Sequence, residues 1–298
     1  MAEHPGSFMD ACFIANQYLH AEFRARGAEL QRLRTLSGVD FLWNGDPAVW
    51  GRTAPTLFPI VGQLKGDRYL LDGRSYAMGR HGFARDLDWE LLRYSREACT
   101  WRLRDDEATR ALYPFAFDLR VTYQVRDLCF EARYDLANLG DRPMPASLGA
   151  HPAFRWPLQG ASREAHALAF EKPEPAPVRR LVGGLLDPHP FPSPVDGRTL
   201  KLRDELFRED ALVLDGLQSR SLAYTAPGSL GLEIAWRGFS QLGLWTKPGA
   251  GFLCIEPWQG TASPADWEGS LLQKPGMLLL EPGGRRSFAW SATVLPPA

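Results

Sequence analysis

Three stretches of this sequence gather titratable side chains beside glycine, proline and aromatic residues. The first runs from Trp43 to Lys65, includes Trp50-Gly-Arg52 and Leu57-Phe-Pro-Ile-Val-Gly62, and continues at Gly79-Arg-His81-Gly-Phe-Ala-Arg85. The second is Leu148-Gly-Ala-His151-Pro-Ala-Phe-Arg-Trp156, and the third runs from Leu244-Trp245 to Cys254-Ile-Glu256-Pro-Trp258. His81 and His151 are two of six histidines, and an imidazole can give or take a proton near neutral pH. Taken alone, either one is more simply read as a hydrogen-bonded structural or surface histidine. Glu256 continues the apolar run Phe252-Leu-Cys-Ile255, where a carboxylate needs either an ion-pair partner or a chemical purpose. Both His151 and Glu256 precede proline and are thereby biased to extended backbone. His4, His189, Glu174 and Glu281 do so too, and the dipeptide by itself marks no site.

A carboxylate and two imidazoles suit proton transfer, and they also suit a zinc or iron ion. The three come from remote segments with no HxH or HExxH pair, and a metal-free site is expected. No GxSxG elbow is present to supply a serine nucleophile. Trp43, Trp50, Trp156, Trp245 and Trp258 flank these stretches. Aromatic faces beside arginine and carboxylate groups suit a sugar, although tryptophans also cluster in β-cores.

The elements that must carry these residues read as strands. Leu119, Val121, Tyr123 and Val125 alternate with polar residues, as do Phe130, Ala132, Tyr134 and Leu136, and a tight hairpin is expected around Arg126-Asp127. Further strands are expected at 19–26, 230–236 and 288–294. Helical signals are short, about two turns each at 105–112 and 202–210. The proline-rich stretch 160–200 reads as extended surface connection. No period of 3.6 is sustained, which excludes doubly wound α/β and bundle folds.

Composition agrees. The 298 residues include 28 glycines and 24 prolines, about 17% against an average near 12%, so the chain turns often. A net charge of −1 gives no global field for nucleic acid or an anionic membrane. Four scattered cysteines with no CxxC spacing point to a reducing compartment. No signal-like or membrane-length apolar run is visible. A cytoplasmic protein is expected, with neither nucleic-acid nor membrane partners.

In order along the chain, Gly27-Ala-Glu-Leu30, Leu42-Trp-Asn-Gly-Asp46, Trp50-Gly-Arg52, Leu57-Phe-Pro-Ile-Val-Gly62, Gln63-Leu-Lys65, His81-Gly-Phe-Ala-Arg85, Tyr113-Pro-Phe-Ala-Phe117, Gly149-Ala-His-Pro-Ala-Phe154 and Cys254-Ile-Glu-Pro-Trp258 resemble the aldose 1-epimerase (galactose mutarotase-like) family. The likeness is greatest to its branch of LacX-like proteins and relatives of hexose-6-phosphate epimerases. It implies an all-β fold, a large antiparallel β-sandwich with few short helices, forming a single domain over 1–298. It implies anomer exchange of a hexose or hexose phosphate without a cofactor, with Glu256 as base and His151 as acid. Arg52 and His81 would bind sugar hydroxyls, as would an Asp matched to Asp210, with Asp215 as a rival. Trp245, Arg85 and Lys65 would complete the binding set. The His151 setting, Ala-His-Pro-Ala-Phe, departs from the Asn-His-x-x-Phe of galactose mutarotases, and galactose specificity is not carried over.

Arg52, Lys65, Arg80 and Arg85 could instead form a phosphate fork; pairing with Asp86, Asp88 and Glu90, or exposure to solvent, is the simpler expectation. Two other functions fit the same residues: a noncatalytic sugar-binding protein, and a glycoside hydrolase or lyase with a second carboxylate about 5–10 Å from the first.

Overall fold

A computed structural model describes residues 11–297; the N-terminal stretch inspected above for a leader lies outside them. The alternating pattern becomes the long hairpin Phe117–Arg126 and Cys129–Asn138. Its two-residue turn places Asp127 at φ +50°, so an aspartate supplies the left-handed conformation usually left to glycine. This hairpin lies inside a nine-stranded antiparallel sheet. Gly231–Arg237 and Arg285–Leu295 flank it on one side, Ala98–Arg104 and Glu90–Tyr94 on the other.

A second antiparallel sheet orders Leu212–Leu214, Gln241–Trp245, Phe252–Gln259, Leu148–Ala150 and Thr56–Leu57, with Ala153–Arg155 also paired to Phe252–Gln259. Period-two alternation decides its faces. Leu253, Ile255, Leu242, Leu244 and Phe154 point into the main hydrophobic core, while Phe252, Cys254 and Ala153 join a separate cluster on the outer face. Leu253 and Ile255 are fully buried, worth about 1.5–3 kcal/mol each. They fix which side of the strand Glu256 must occupy.

Two expectations need revision. The stretch 202–210 forms only a single 3₁₀ turn, Asp204–Phe207. The proline-rich region is not purely connective: Ala167–Phe170 and Thr199–Lys201 extend the edge of the large sheet, and Leu181–Leu186 makes a small hairpin. The one α-helix among the described residues is Glu107–Leu112, where Asp106 and Thr109 form a reciprocal capping box. No helix among them is long and apolar enough to cross a membrane, and all four cysteines are free.

Candidate active site

The register around Phe252–Gln259 brings the second and third stretches together. Gly149 pairs with Trp258 and Ala153 with Cys254, which sets His151 directly across from Glu256. The ladder is interrupted between those pairs. Pro152 and Pro257 lie within the interruption, and neither can donate a backbone hydrogen bond. The break leaves room on the outer face for the two side chains. His151 Nε2 lies 3.1 Å from Glu256 Oε2, with His151 7% and Glu256 1% exposed. This close contact is not a hydrogen bond, and Glu256 Oε2 has no hydrogen-bond partner; His151 Nδ1, on the other side of the ring, has none either. Burial pushes the Glu256 carboxyl well above its usual range, aided by the charge of Asp210, and pushes His151 well below its own.

An aromatic wall surrounds the pair. Trp50 stacks on His151 at 5.1 Å, Trp245 meets it edge-on at 5.9 Å, and Phe252 packs against both tryptophans. His81 stands edge-on to His151 at 5.6 Å and takes φ +67°, fixed on both sides. Its N–H donates to the Gly62 carbonyl, and its Nδ1 accepts from the Gly62 N–H. Accepting at Nδ1 requires the proton on Nε2, so neutral His81 presents an N–H donor. Burial and the neighbouring His151 and Arg85 keep it neutral. Gly82 allows this loop to close: a Cβ there would stand 2.2 Å from the Phe58 carbonyl oxygen.

Beside Trp50 a cavity of about 360 Å³ is lined by Arg24, Arg26, Gly51, Arg52, Arg85 and Asp86. Arg52 donates to Asp86 at 2.5 Å and to the Arg85 carbonyl, while Arg85 Nε is 3.6 Å from Asp86. Arg24 pairs with buried Glu29, whose other oxygen accepts from the N–H groups of Thr53 and Ala54. That carboxylate therefore anchors the backbone immediately after Arg52.

The aldose 1-epimerase family model matches residues 11–263. The chain belongs to the aldose 1-epimerase family. It is 31% identical to the chromosomal protein LacX of Lactococcus lactis subsp. lactis, covering 95% of this chain and 98% of that one. A galactose mutarotase related enzyme from Lactobacillus acidophilus superimposes with a TM-score of 0.89 at 32% identity, over 97% of this chain and 98% of that one. A galactose mutarotase-like protein from Lactobacillus casei ATCC 334 gives 0.89 at 27% identity, over 95% and 99%. The large antiparallel sheets are thus those of the galactose mutarotase-like fold.

Within this aldose 1-epimerase fold the residues singled out from sequence separate into three groups. Glu256, His151, His81 and Trp245 converge directly, and Asp210 acts on Glu256 through its charge. Its rival Asp215 is exposed beyond the strand Leu212–Leu214. Arg52 and Arg85 line the adjoining cavity. Lys65 is not brought in: it is exposed and pairs with Glu268 at 2.7 Å. Arg80 likewise bonds to Gln63 outside the cavity. Sequence reasoning missed Trp50 as the platform under His151, Arg24 and Arg26 in the cavity, and Cys254. The donor atoms of His151, Cys254 and Glu256 lie within 4.8 Å of one another. Burial, with a smaller contribution from the adjacent Glu256 carboxyl, pushes the Cys254 thiol well above its usual range.

Proposed function

We propose that this protein is an aldose 1-epimerase that interconverts the α and β anomers of a hexose, with no metal or other cofactor. The observation that carries the reading is the apposition of Glu256 and His151 at 3.1 Å beneath an aromatic wall. Anomer exchange takes a proton from the C1 hydroxyl and delivers one to the ring oxygen. Both oxygens are bonded to C1, so base and acid must be close neighbours. Glu256 as carboxylate removes the hydroxyl proton, and protonated His151 gives its proton to the ring oxygen as the C1–O5 bond breaks. Rotation about C1–C2 of the aldehyde and reversal of both transfers give the other anomer. The pair needs only one transferable proton, held on either partner. A positioned acid or base contributes about 10²–10⁴-fold. Trp50 and Trp245 would take the apolar sugar face, while the His81 N–H, Arg52 and Asp210 bind hydroxyls. The whole of 1–298 would act as one domain, supported by a core cluster that runs from Cys12 to Val294.

Glu256→Gln is expected to abolish catalysed anomer exchange while the circular dichroism spectrum is unchanged. Exchange NMR on a panel of aldoses checks this, and a retained rate would remove Glu256 as base. Sugar binding without exchange by the unmodified protein would favour a noncatalytic role. Hydrolysis of a glycoside in place of exchange would favour a hydrolase. One observation supports a second substrate reading, a hexose 6-phosphate: four arginines share one cavity beside Trp50, a setting that suits a phosphate dianion. Such an enzyme would be found with other sugar-metabolising enzymes in the cytoplasm.

A further inference from the structure

One buried side chain has no task in the scheme above. Trp258 lies two residues beyond Glu256 on the same strand, so both project from its outer face. The indole is 4% exposed and crosses the two neighbouring strands. A Cβ on Gly243 would lie 2.4 Å from the ring atom Cη2, and one on Gly149 would lie 2.8 Å from Cδ1. Gly243 is the cross-strand partner of Glu256, and Gly149 that of Trp258. Neither position can carry a side chain while the ring keeps its place. Leu57, Val61, Leu186 and Val213 pack around the indole. A ring held this firmly nonetheless leaves Nε1 without an acceptor, while Glu256 Oε2 on the same face lacks a donor. Buried complementary groups left unpaired are rare and costly.

We propose that Trp258 is a positioning residue whose indole N–H donates to the Glu256 carboxylate and holds it in line for the sugar. This rests on the reading of Glu256 as the base. The other titratable groups facing Glu256 are His151 from the broken strand, Cys254 on its own strand and Asp210 ahead of Leu212–Leu214. Burial and Asp210 oppose ionisation of Glu256, and the Trp258 N–H favours it. The strand Gln241–Trp245 offers no charged side chain.

Trp258→Phe keeps an aromatic ring and removes the donor. In protein labelled with ¹³C at the glutamate carboxyls, with the Glu256 signal assigned by its loss in Glu256→Gln, the Glu256 titration should move up by about one pH unit or more. The acid limb of kcat should move by the same amount, with kcat returning to within a few-fold of the unmodified protein at high pH. A merely structural role would lower kcat at every pH and leave the limb in place. An unshifted carboxyl titration in folded Trp258→Phe overturns the proposal. Gly243→Ala displaces the indole by another route and should give the same upward shift; if Trp258→Phe fails to fold, an unshifted titration in Gly243→Ala overturns it. The carboxyl titration needs no turnover. Retained exchange in Glu256→Gln would refute the base reading alone, while the NMR shift would still decide the role of Trp258.

Discussion

At Glu256 and His151 the same burial acts in opposite directions, raising the carboxyl pKa and lowering the imidazole pKa to about 3. Both shifts disfavour the charged form of the group concerned. This arrangement costs stability in a defined pH window. Below the ordinary glutamate pKa both the folded and unfolded states keep the proton. As pH rises above it, the unfolded chain releases that proton while folded Glu256 retains it, and the native state loses stability up to the raised pKa. A glutamine side chain, which does not titrate, carries no such penalty. Glu256→Gln should therefore melt at nearly the same temperature as the unmodified protein at pH 4, and several degrees higher at pH 8. Calorimetry across that range checks the sign; a variant that is less stable at pH 8 would contradict it. Such a gain on removing a functional group is the usual trade between activity and stability. Glu256 was legible because a carboxylate ended an apolar run, and the two histidines because they were scarce. Trp50 was legible as a flanking aromatic but not as the ring stacked on His151, and Arg24 was not legible at all, since stacking on His151 and sharing a cavity with Arg52 depend on contacts between remote segments.

Elements place these residues through register. The alternating runs at 119–126 and 128–136 announced their own pairing, because each strand has one buried face and one solvated face. Phe252–Gln259 announced less: seven of its eight residues are buried, so period two is hidden, and a proline inside a central strand argues against a strand at all. Only the matching interruption across from it, at Pro152, reconciles Pro257 with the sheet. The stretch 202–210 misled in the opposite sense, since apolar spacing over two turns does not require more than the 3₁₀ turn that forms. A further device at this scale is Glu29, fully buried on the strand Glu29–Thr35. It ties that strand to the Thr53 and Ala54 amides and to Arg24. Glu29→Ala would strand two buried N–H groups and leave a guanidinium without its partner. A loss of about 3–5 kcal/mol is expected, read from urea unfolding midpoints. A loss under about 1 kcal/mol would show that water replaces the carboxylate.

For the molecule as a whole, a charge of −1 excluded broad electrostatic roles but concealed a local concentration of positive charge. Composition sums over the chain, whereas the fold collects Arg24, Arg26, Arg52 and Arg85 around one cavity. Asp86 there and Glu29 behind Arg24 offset part of that charge. The remaining surplus matches a phosphate dianion, and the burial of Arg85 strengthens any pairing it makes. The two substrate readings then differ in their response to salt. Beyond the Debye length, about 10 Å at 0.1 M, the molecule presents no net field, so a neutral hexose should show a flat kcat/KM from 20 mM to 0.5 M salt, concentrations chosen to span roughly 4–20 Å of screening. A hexose 6-phosphate that uses the cavity should show a higher kcat/KM at low salt and a fall of about tenfold across that range. Arg52→Gln would not separate the readings, since Arg52 is expected to bind hydroxyls in both. Arg26→Gln would, because it lines the cavity with no role toward the ring: it should flatten the salt response of the phosphate ester and leave the free sugar unaffected. Equal kcat/KM for the two substrates at every salt concentration would remove phosphate from the cavity and leave the neutral hexose as the substrate.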